Sequence, residues 1–187
     1  LDLKPHEKRA LLWQRGDLDH TLLDDQVHIP LLLFGSNIPK DKKIPQLIRQ
    51  IDIFPTIMDL LGISAKNKPD GVSLVPLLQG KNMIELPAYM ESTPLMQKKS
   101  NDVIGIRTSN YKYFRDGNDP KKRIHLYDLI NDPFEEKNIA ESHQEVVSEM
   151  EDVLQTIINE KITNTDEDYS EKDAKMIQDE LRRMGYL

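Results

Sequence analysis

His20 is the residue nearest the amino end whose setting suits chemistry. It lies in the stretch DLDHTLLDDQ among four aspartates, and Asp19 directly precedes it. A carboxylate beside an imidazole orients the ring and raises its basicity, so such a histidine can act as a general acid or bind a metal. A solvated polar loop would have the same composition. The pattern therefore leaves a catalytic and a purely structural interpretation open.

Two further candidates lie in short apolar runs. Glu91 closes the run LPAYME, and the ends of strands often line binding sites. Arg107 lies within IGIRTSNYKYF, where a half-buried guanidinium pairs with a carboxylate or binds an anion. We predict that both, together with Asp19, lie at the rim of a substrate site. Lys112 and His125 alternate with apolar neighbours, and this pattern predicts that both point from the exposed faces of strands.

Several familiar catalytic patterns are missing from the sequence. There is no cysteine, so a cysteine-derived nucleophile and a thiolate metal site are excluded within these 187 residues. There is also no phosphate-binding glycine-rich loop, no G-x-S-x-G and no H-E-x-x-H. The acidic turn DPFEEKN lacks the ligand spacing of a calcium loop. We therefore predict no metal site in this chain.

The composition of the chain limits the classes of partner that it is expected to bind. The formal net charge is −7, which gives no electrostatic reason to bind nucleic acid. No apolar run approaches the ~20 residues of a membrane span. Neither a nucleic-acid partner nor a membrane span is predicted.

The elements that would position the candidate residues begin with a strand and a helix. Val27–Gly35 is almost continuously apolar, which predicts a strand covered on both faces, as in a parallel sheet. A helix is predicted over 53–61, where four apolar residues share one face. Asp52 would cap its first turn, and Gly62 would end it.

The second half of the chain has a different pattern. Short β-rich runs separated by turn residues predict a three- or four-stranded antiparallel sheet over 86–130, with Ser109-Asn110 as one tight turn. A long amphipathic helix is predicted over 141–162. An acidic linker and a short terminal helix would occupy 163–187.

Five segments in this order resemble the carboxy-terminal portion of the sulfatase family, within the alkaline phosphatase superfamily. They are VHIPLLLFGSNIP, IRQIDIFPTIMDLLGI, DGVSLVPLLQGK, GIRTSNYKYFRDG and HLYDLINDPFEEKNIA, and together they cover roughly residues 28–140. The closing LRRMGYL is also similar to the ending of many members.

The resemblance implies an α/β fold that becomes α+β in its second part. Residues 1–82 would supply the last strand and helix of a large α/β domain. Residues 83–162 would form a small antiparallel sheet with a long packed helix, and 163–187 a linker and terminal helix. Unpaired strand edges and exposed apolar faces in the first part would then favour self-association of the isolated chain.

Family membership would make the parent protein a hydrolase of sulfate esters, with a small molecule or a glycan as substrate. Such enzymes use a formylglycine, made from the Cys or Ser of a C/S-x-P-x-R motif, and a divalent cation, Ca²⁺ or Mg²⁺. The chain contains no such motif. By this resemblance the chain is a fragment that binds neither cofactor, is inactive alone, and has the amino-terminal part of the enzyme as its partner.

One active-site position of the family falls within the chain. Sulfatases commonly carry a lysine shortly before the V-P-L strand, and Asp19 occupies that place, with His20 beside it. The resemblance makes His20 a candidate contact for the leaving group or the oxyanion. The acid at position 19 departs from the pattern and keeps a phospho-ester hydrolase or phosphoglycerol transferase of the same superfamily open as an alternative. A stand-alone, non-catalytic interaction module that binds a partner through an exposed apolar face is a separate alternative. A periplasmic or secreted parent fits the family, and the sequence itself leaves the compartment open.

Overall fold

A computed structural model describes residues 3–15, 22–36, 38–64, 67–92, 102–164, 178 and 180–183. The chain divides into two compact units, Leu1–Glu151 and Asp152–Leu187. The α-helices are α1 (Pro5–Arg15), α2 (Asp24–Val27), α3 (Ile53–Leu60), α4 (Val75–Leu78) and α5 (Gln144–Asn164). None of the helices in the described residues is both long enough and apolar enough to cross a lipid bilayer.

A four-stranded antiparallel sheet organises the first unit. Its strands, which pair in chain order, are β1 (Ala88–Ser92), β2 (Val103–Arg107), β3 (Tyr111–Asp116) and β4 (His125–Asp128). The predicted antiparallel sheet over 86–130 is therefore confirmed. The predicted turn is also confirmed, because the amide of Thr108 donates to the carbonyl of Tyr111 at 2.9 Å and closes the loop between β2 and β3.

The start of α5 packs against one face of this sheet. The phenol of Tyr113 donates to Glu151 at 2.7 Å, and the guanidinium of Arg115 donates to the same carboxylate. Val147 and Met150 of the same helix are buried. The predicted long helix is therefore present, although it runs from Gln144 to Asn164 rather than over 141–162.

The opposite face of the sheet is covered by the segment that precedes it in sequence. Leu22 and Leu23 share one buried cluster with Val103, Phe114 and Tyr127. The cluster joins residues separated by about 80 positions or more. It therefore places the short helix α2 directly over the sheet.

The buried strand predicted over Val27–Gly35 is not formed. Val27 ends α2, and residues 28–34 form neither helix nor strand. The side chains of Leu32 and Phe34 are 81% and 93% exposed. A strand exists only through hydrogen bonds to a neighbouring strand, and no strand of the described residues pairs with this segment. The apolar pattern by itself is therefore not sufficient to form a strand here.

The predicted helix over 53–61 is confirmed by α3, which ends one residue earlier. Gly62 follows in the left-handed region at φ +67°, as expected of a residue that stops a helix. The predicted role of Asp52 as a side-chain cap is wrong. Its carboxylate instead accepts hydrogen bonds from Arg49 and from the amide of Val72 at 2.9 Å. These bonds fasten the segment around residue 72 to the start of the helix.

The same contact region requires a glycine at position 71. A Cβ atom there would lie 2.0 Å from the carbonyl oxygen of Ile51, far inside van der Waals contact. Thr56 completes the attachment, because its hydroxyl donates to the carbonyl of Asp52 and accepts from the amide of Leu74. The two segments are thus joined by hydrogen bonds from the backbone amides of Val72 and Leu74 to the side chains of Asp52 and Thr56.

Candidate functional site

The strongest concentration of buried charge lies between α2 and the sheet. Arg107 donates from Nε to Asp24 Oδ1 at 3.0 Å and from Nη2 to Asp24 Oδ2 at 2.9 Å. This two-pronged pairing is the strongest geometry available to a guanidinium and a carboxylate. It connects the end of β2 to the first residue of α2.

Lys112 occupies the centre of the same cluster. Its side chain is fully buried, and its ammonium group pairs with Asp24 and, at 2.5 Å, with Glu135 Oε1. The other carboxylate oxygen of Glu135 accepts the backbone amide of Asp24 at 2.7 Å. Asp24, Arg107, Lys112 and Glu135 are called the ionic quartet below.

The prediction that Lys112 is exposed is therefore wrong. Tyr113 is buried on one face of β3, but Lys112 shares the other face with Phe114, which is buried as well. A buried ammonium is tolerated only when carboxylates compensate its lost hydration. Asp24 and Glu135 supply that compensation from positions distant in sequence.

The register of the sheet explains why an anion is needed here. Arg107 and Lys112 are direct partners across β2 and β3, so two cations lie side by side on one face. Like charges directly opposite destabilise a sheet. Asp24 contacts both cations, and with Glu135 it brings the formal charge of the quartet to zero. Docking of α2 therefore stabilises the pairing of the two strands.

The pKa values in the quartet are shifted in opposite directions. Burial by itself raises the pKa of Asp24, but the hydrogen bonds from Arg107 and Lys112 outweigh burial and bring this pKa down to about 2. Burial dominates at Glu135 and raises its pKa despite the nearby Lys112. The ionised form of Asp24 is therefore the one that the fold favours.

The Asp24 pKa leads to a prediction about acid stability. A carboxyl whose pKa is lower in the folded state stabilises the fold above its ordinary pKa of 3.8, and that contribution is lost as the pH falls through about 2. The free energy of unfolding should therefore contain about 2 kcal/mol that disappears between about pH 5 and pH 2. Urea titrations across that range should show this loss in the wild type. In Asp24→Asn this contribution should be absent, so the free energy of unfolding should fall less steeply with decreasing pH than in the wild type. Equal slopes in the two proteins would contradict the prediction.

Not every residue predicted for the site is brought into the quartet. Arg107 belongs to it, with its side chain 17% exposed. Glu91 lies on the opposite face of the sheet, where its carboxylate accepts the phenol of Tyr89 at 2.6 Å. His20 and Asp19 lie outside the described residues. Their predicted roles remain predictions.

His125 is not on an exposed face, contrary to the sequence-based prediction. Its ring is half-buried and stacks on Phe114 with centroids 4.6 Å apart. Its Nδ1 lies 3.2 Å from the hydroxyl of Tyr127. Burial lowers its pKa, so the ring is held in its neutral form near neutral pH. These contacts give His125 a packing role beside the quartet.

The described residues do not fit a metal centre. They contain no group of three or more His, Cys, Asp or Glu side chains placed to hold a metal ion. The whole chain also lacks cysteine.

Comparison with known proteins gives the quartet its context. The family described as N-sulphoglucosamine sulphohydrolase, C-terminal, matches residues 16–160, which include all four members of the quartet. Arylsulfatase K of Gallus gallus is 30% identical over 159 residues, covering 81% of this chain and 30% of the relative. The Delta 4,5-hexuronate-2-O-sulfatase of Bacteroides thetaiotaomicron is 28% identical over 155 residues, covering 78% of this chain and 31% of the relative.

A solved structure supports the fold alone. It is that of BT4656 in complex with its substrate D-glucosamine-2-N,6-O-disulfate, which matches with a TM-score of 0.51 and 24% identity, over 64% of this chain and 25% of that chain. The chain spans about 30% of the length of the curated relatives described above. With a family match that covers more than three quarters of its residues, this chain belongs to the family of sulfatase carboxy-terminal portions.

Proposed function

We propose that the chain is the carboxy-terminal portion of an enzyme that hydrolyses sulfate esters, and that it is inactive by itself. The observation that carries the proposal is the family match over residues 16–160, at about 30% of the length of the relatives. The nucleophile and the divalent cation would then be held by other residues of the parent enzyme. The role of this chain is to complete that enzyme structurally.

The exposed apolar side chains support the proposal that this chain binds a large protein partner. Ile29, Leu32 and Phe34 are 64%, 81% and 93% exposed, and α3 exposes Phe54 at 58%. An apolar surface of this kind is rare on a monomer and marks an interaction site. In this proposal the amino-terminal part of the same enzyme covers it. Without that part, the same surface promotes self-association of the chain.

The relatives suggest the class of substrate. One relative is named as a Delta 4,5-hexuronate-2-O-sulfatase, an enzyme for a sulfate group on a sugar acid. We propose a sulfate ester on a glycan as the substrate of the parent enzyme. The His20 and Asp19 pair would lie near that ester, and Glu91 and Arg107 would support the rim of its site.

The proposal is tested first on the gene and then on the protein. The reading frame upstream of the Leu1 codon should contain a Cys- or Ser-x-Pro-x-Arg motif and aspartate-rich metal motifs. The complete protein should release sulfate from 4-methylumbelliferyl sulfate and from a 2-O-sulfated unsaturated disaccharide, with Ca²⁺ or Mg²⁺ present. The 187-residue chain alone should do neither, and should sediment as more than a monomer.

Three results would overturn the proposal in different ways. Sulfate release by the isolated chain would show that it is not an inactive portion. A complete protein that cleaves 4-methylumbelliferyl phosphate but not the sulfate would place it in the phospho-ester branch. A start codon directly before Leu1, with no sulfatase motif upstream, would favour the stand-alone interaction module.

A further inference from the structure

The segment 22–28 is held far more firmly than a four-residue helix requires. Asp24 takes part twice, through its carboxylate with Arg107 and Lys112 and through its amide with Glu135. Helices as short as α2 are not stable alone, so its geometry depends on these contacts. The quartet therefore fixes the position of α2 and the direction in which the chain leaves this helix.

A second set of contacts reinforces the same attachment. Arg9 pairs with Asp25 at 2.8 Å and also donates to the carbonyl of Phe134 at 2.9 Å. Phe134 directly precedes Glu135, so the loop that carries the quartet carboxylate is held from two sides. The attachment thus joins α1, α2 and the loop after β4.

The residues that follow this attachment have the opposite character. The last backbone hydrogen bond is donated by the amide of His28 to the carbonyl of Asp24 at 2.9 Å. Within the described residues, no backbone hydrogen bond is made by residues 29–34. Their side chains are largely exposed and apolar. The firmly attached helix α2 is thus followed directly by an apolar segment that makes no backbone hydrogen bond within the described residues.

We propose that the quartet is a positioning device, in which Arg107, Lys112 and Glu135 aim residues 29–34 at a strand of the catalytic portion of the same enzyme. The partner is a strand with free backbone N–H and C=O groups, in a sheet covered by apolar layers on both sides. The chain spans about 30% of its relatives, so the remaining length is sufficient to supply such a sheet. The inference rests on the proposed function and adds the residues that set the geometry of the joint.

The charge arrangement explains why this device holds its position. Asp24 is the only member that belongs to the docked segment, and it faces two cations that repel each other when it is absent. Its loss would therefore release residues 24–28, while Leu22 and Leu23 keep their apolar cluster with Val103 and Phe114. Asp119 provides a control outside the attachment, because its carboxylate pairs with the exposed Lys122 at 3.1 Å.

The first measurement uses the 187-residue chain and amide hydrogen exchange resolved by residue. In Asp24→Asn, exchange at the amides of Val27 and His28 should rise about 100-fold, because several charge-assisted hydrogen bonds are weakened together. Sheet amides such as that of Phe114 should change by less than about tenfold. Asp119→Asn should leave all of them within about threefold, and Asp24→Glu should restore most of the protection.

The second measurement uses the complete protein and steady-state hydrolysis of 4-methylumbelliferyl sulfate. Asp24→Asn should lower kcat/KM at least tenfold while far-UV circular dichroism stays unchanged. Asp24→Glu should recover activity in parallel with amide protection, and Asp119→Asn should stay within about twofold of the wild type. A role confined to stability would show no such parallel recovery in molecules that are fully folded.

The outcomes separate this inference from the proposed function. If exchange rises in Asp24→Asn but kcat/KM does not change, the positioning role is wrong and the sulfatase assignment stands. If Val27 and His28 stay protected, the quartet is not what holds the segment, and the inference is wrong. If Asp24→Asn fails to fold, the same two measurements are made on Arg107→Leu, which removes one cation and leaves Asp24 paired with Lys112. The same two results then support or contradict the inference. If the wild-type protein releases no sulfate from any substrate, the proposed function fails and the inference fails with it.

Discussion

Replacing Lys112 by methionine is expected to lower the free energy of unfolding by about 3–5 kcal/mol, because it leaves Glu135 buried without its cation. Methionine fits the space of the lysine stem, so the loss reports charge rather than volume. Both Lys112 and the Glu135 carboxylate are essentially inaccessible to solvent. Water therefore cannot replace the lost partner. Urea denaturation followed by far-UV circular dichroism measures the change.

A second substitution makes the cause of this loss testable. Adding Glu135→Gln to Lys112→Met removes the unpaired charge and should recover at least about 1 kcal/mol of the loss. Lys122→Met is the matched control, because Lys122 pairs with Asp119 at 3.1 Å but its side chain is 70% exposed. It should cost less than about 1 kcal/mol. Equal costs at positions 112 and 122 would show that burial of the quartet does not matter.

Replacing Gly71 by alanine is the other change expected to have a large effect. The added Cβ would lie 2.0 Å from the carbonyl oxygen of Ile51 and 2.9 Å from the amide nitrogen of Asp52. Both are backbone atoms at the start of α3, so the clash is relieved only if the two segments separate. The amide of Val72 would then lose the Asp52 carboxylate. We expect a loss of about 3 kcal/mol or more, measured by the same urea titration.

The neighbouring position supplies the comparison for Gly71→Ala. Val72 is 36% exposed, and its contact with Asp52 is made by the backbone amide, which alanine retains. Val72→Ala should cost less than about 1 kcal/mol. A similar loss in both variants would show that the close approach at position 71 does not constrain the fold.

The parts of the fold that depend on local signals were predictable from sequence. The helix α3 follows from apolar residues at helical spacing, and Gly62 ends it because a glycine adopts positive φ without strain. The hairpin between β2 and β3 follows from two β-rich runs separated by a short polar turn. In each case the deciding interaction lies within a few residues.

The parts that depend on distant partners were not predictable in the same way. Lys112 has the alternation of an exposed strand residue, and its burial depends on Asp24 and Glu135, 88 and 23 positions away. His125 is half-buried because Phe114 and Tyr127 stack beside it. The apolar run 27–35 has the composition of a strand, but pairing requires a neighbour that composition does not provide. An alternation pattern identifies two faces of a strand without showing which one is covered.

The spacing of the quartet along the chain has a consequence for biosynthesis. Asp24 precedes Arg107 by 83 positions, Lys112 by 88 and Glu135 by 111. At translation rates of about 5–20 residues per second, Asp24 is made roughly 5–20 s before Glu135. During that interval the apolar side chains of Leu32 and Phe34 have no completed attachment beside them. The sheet, whose strands pair in chain order, can form as each hairpin emerges, whereas the quartet closes only after the loop behind β4 has been synthesised. The attachment that positions residues 29–34 is therefore completed only after all four strands of the sheet have been synthesised.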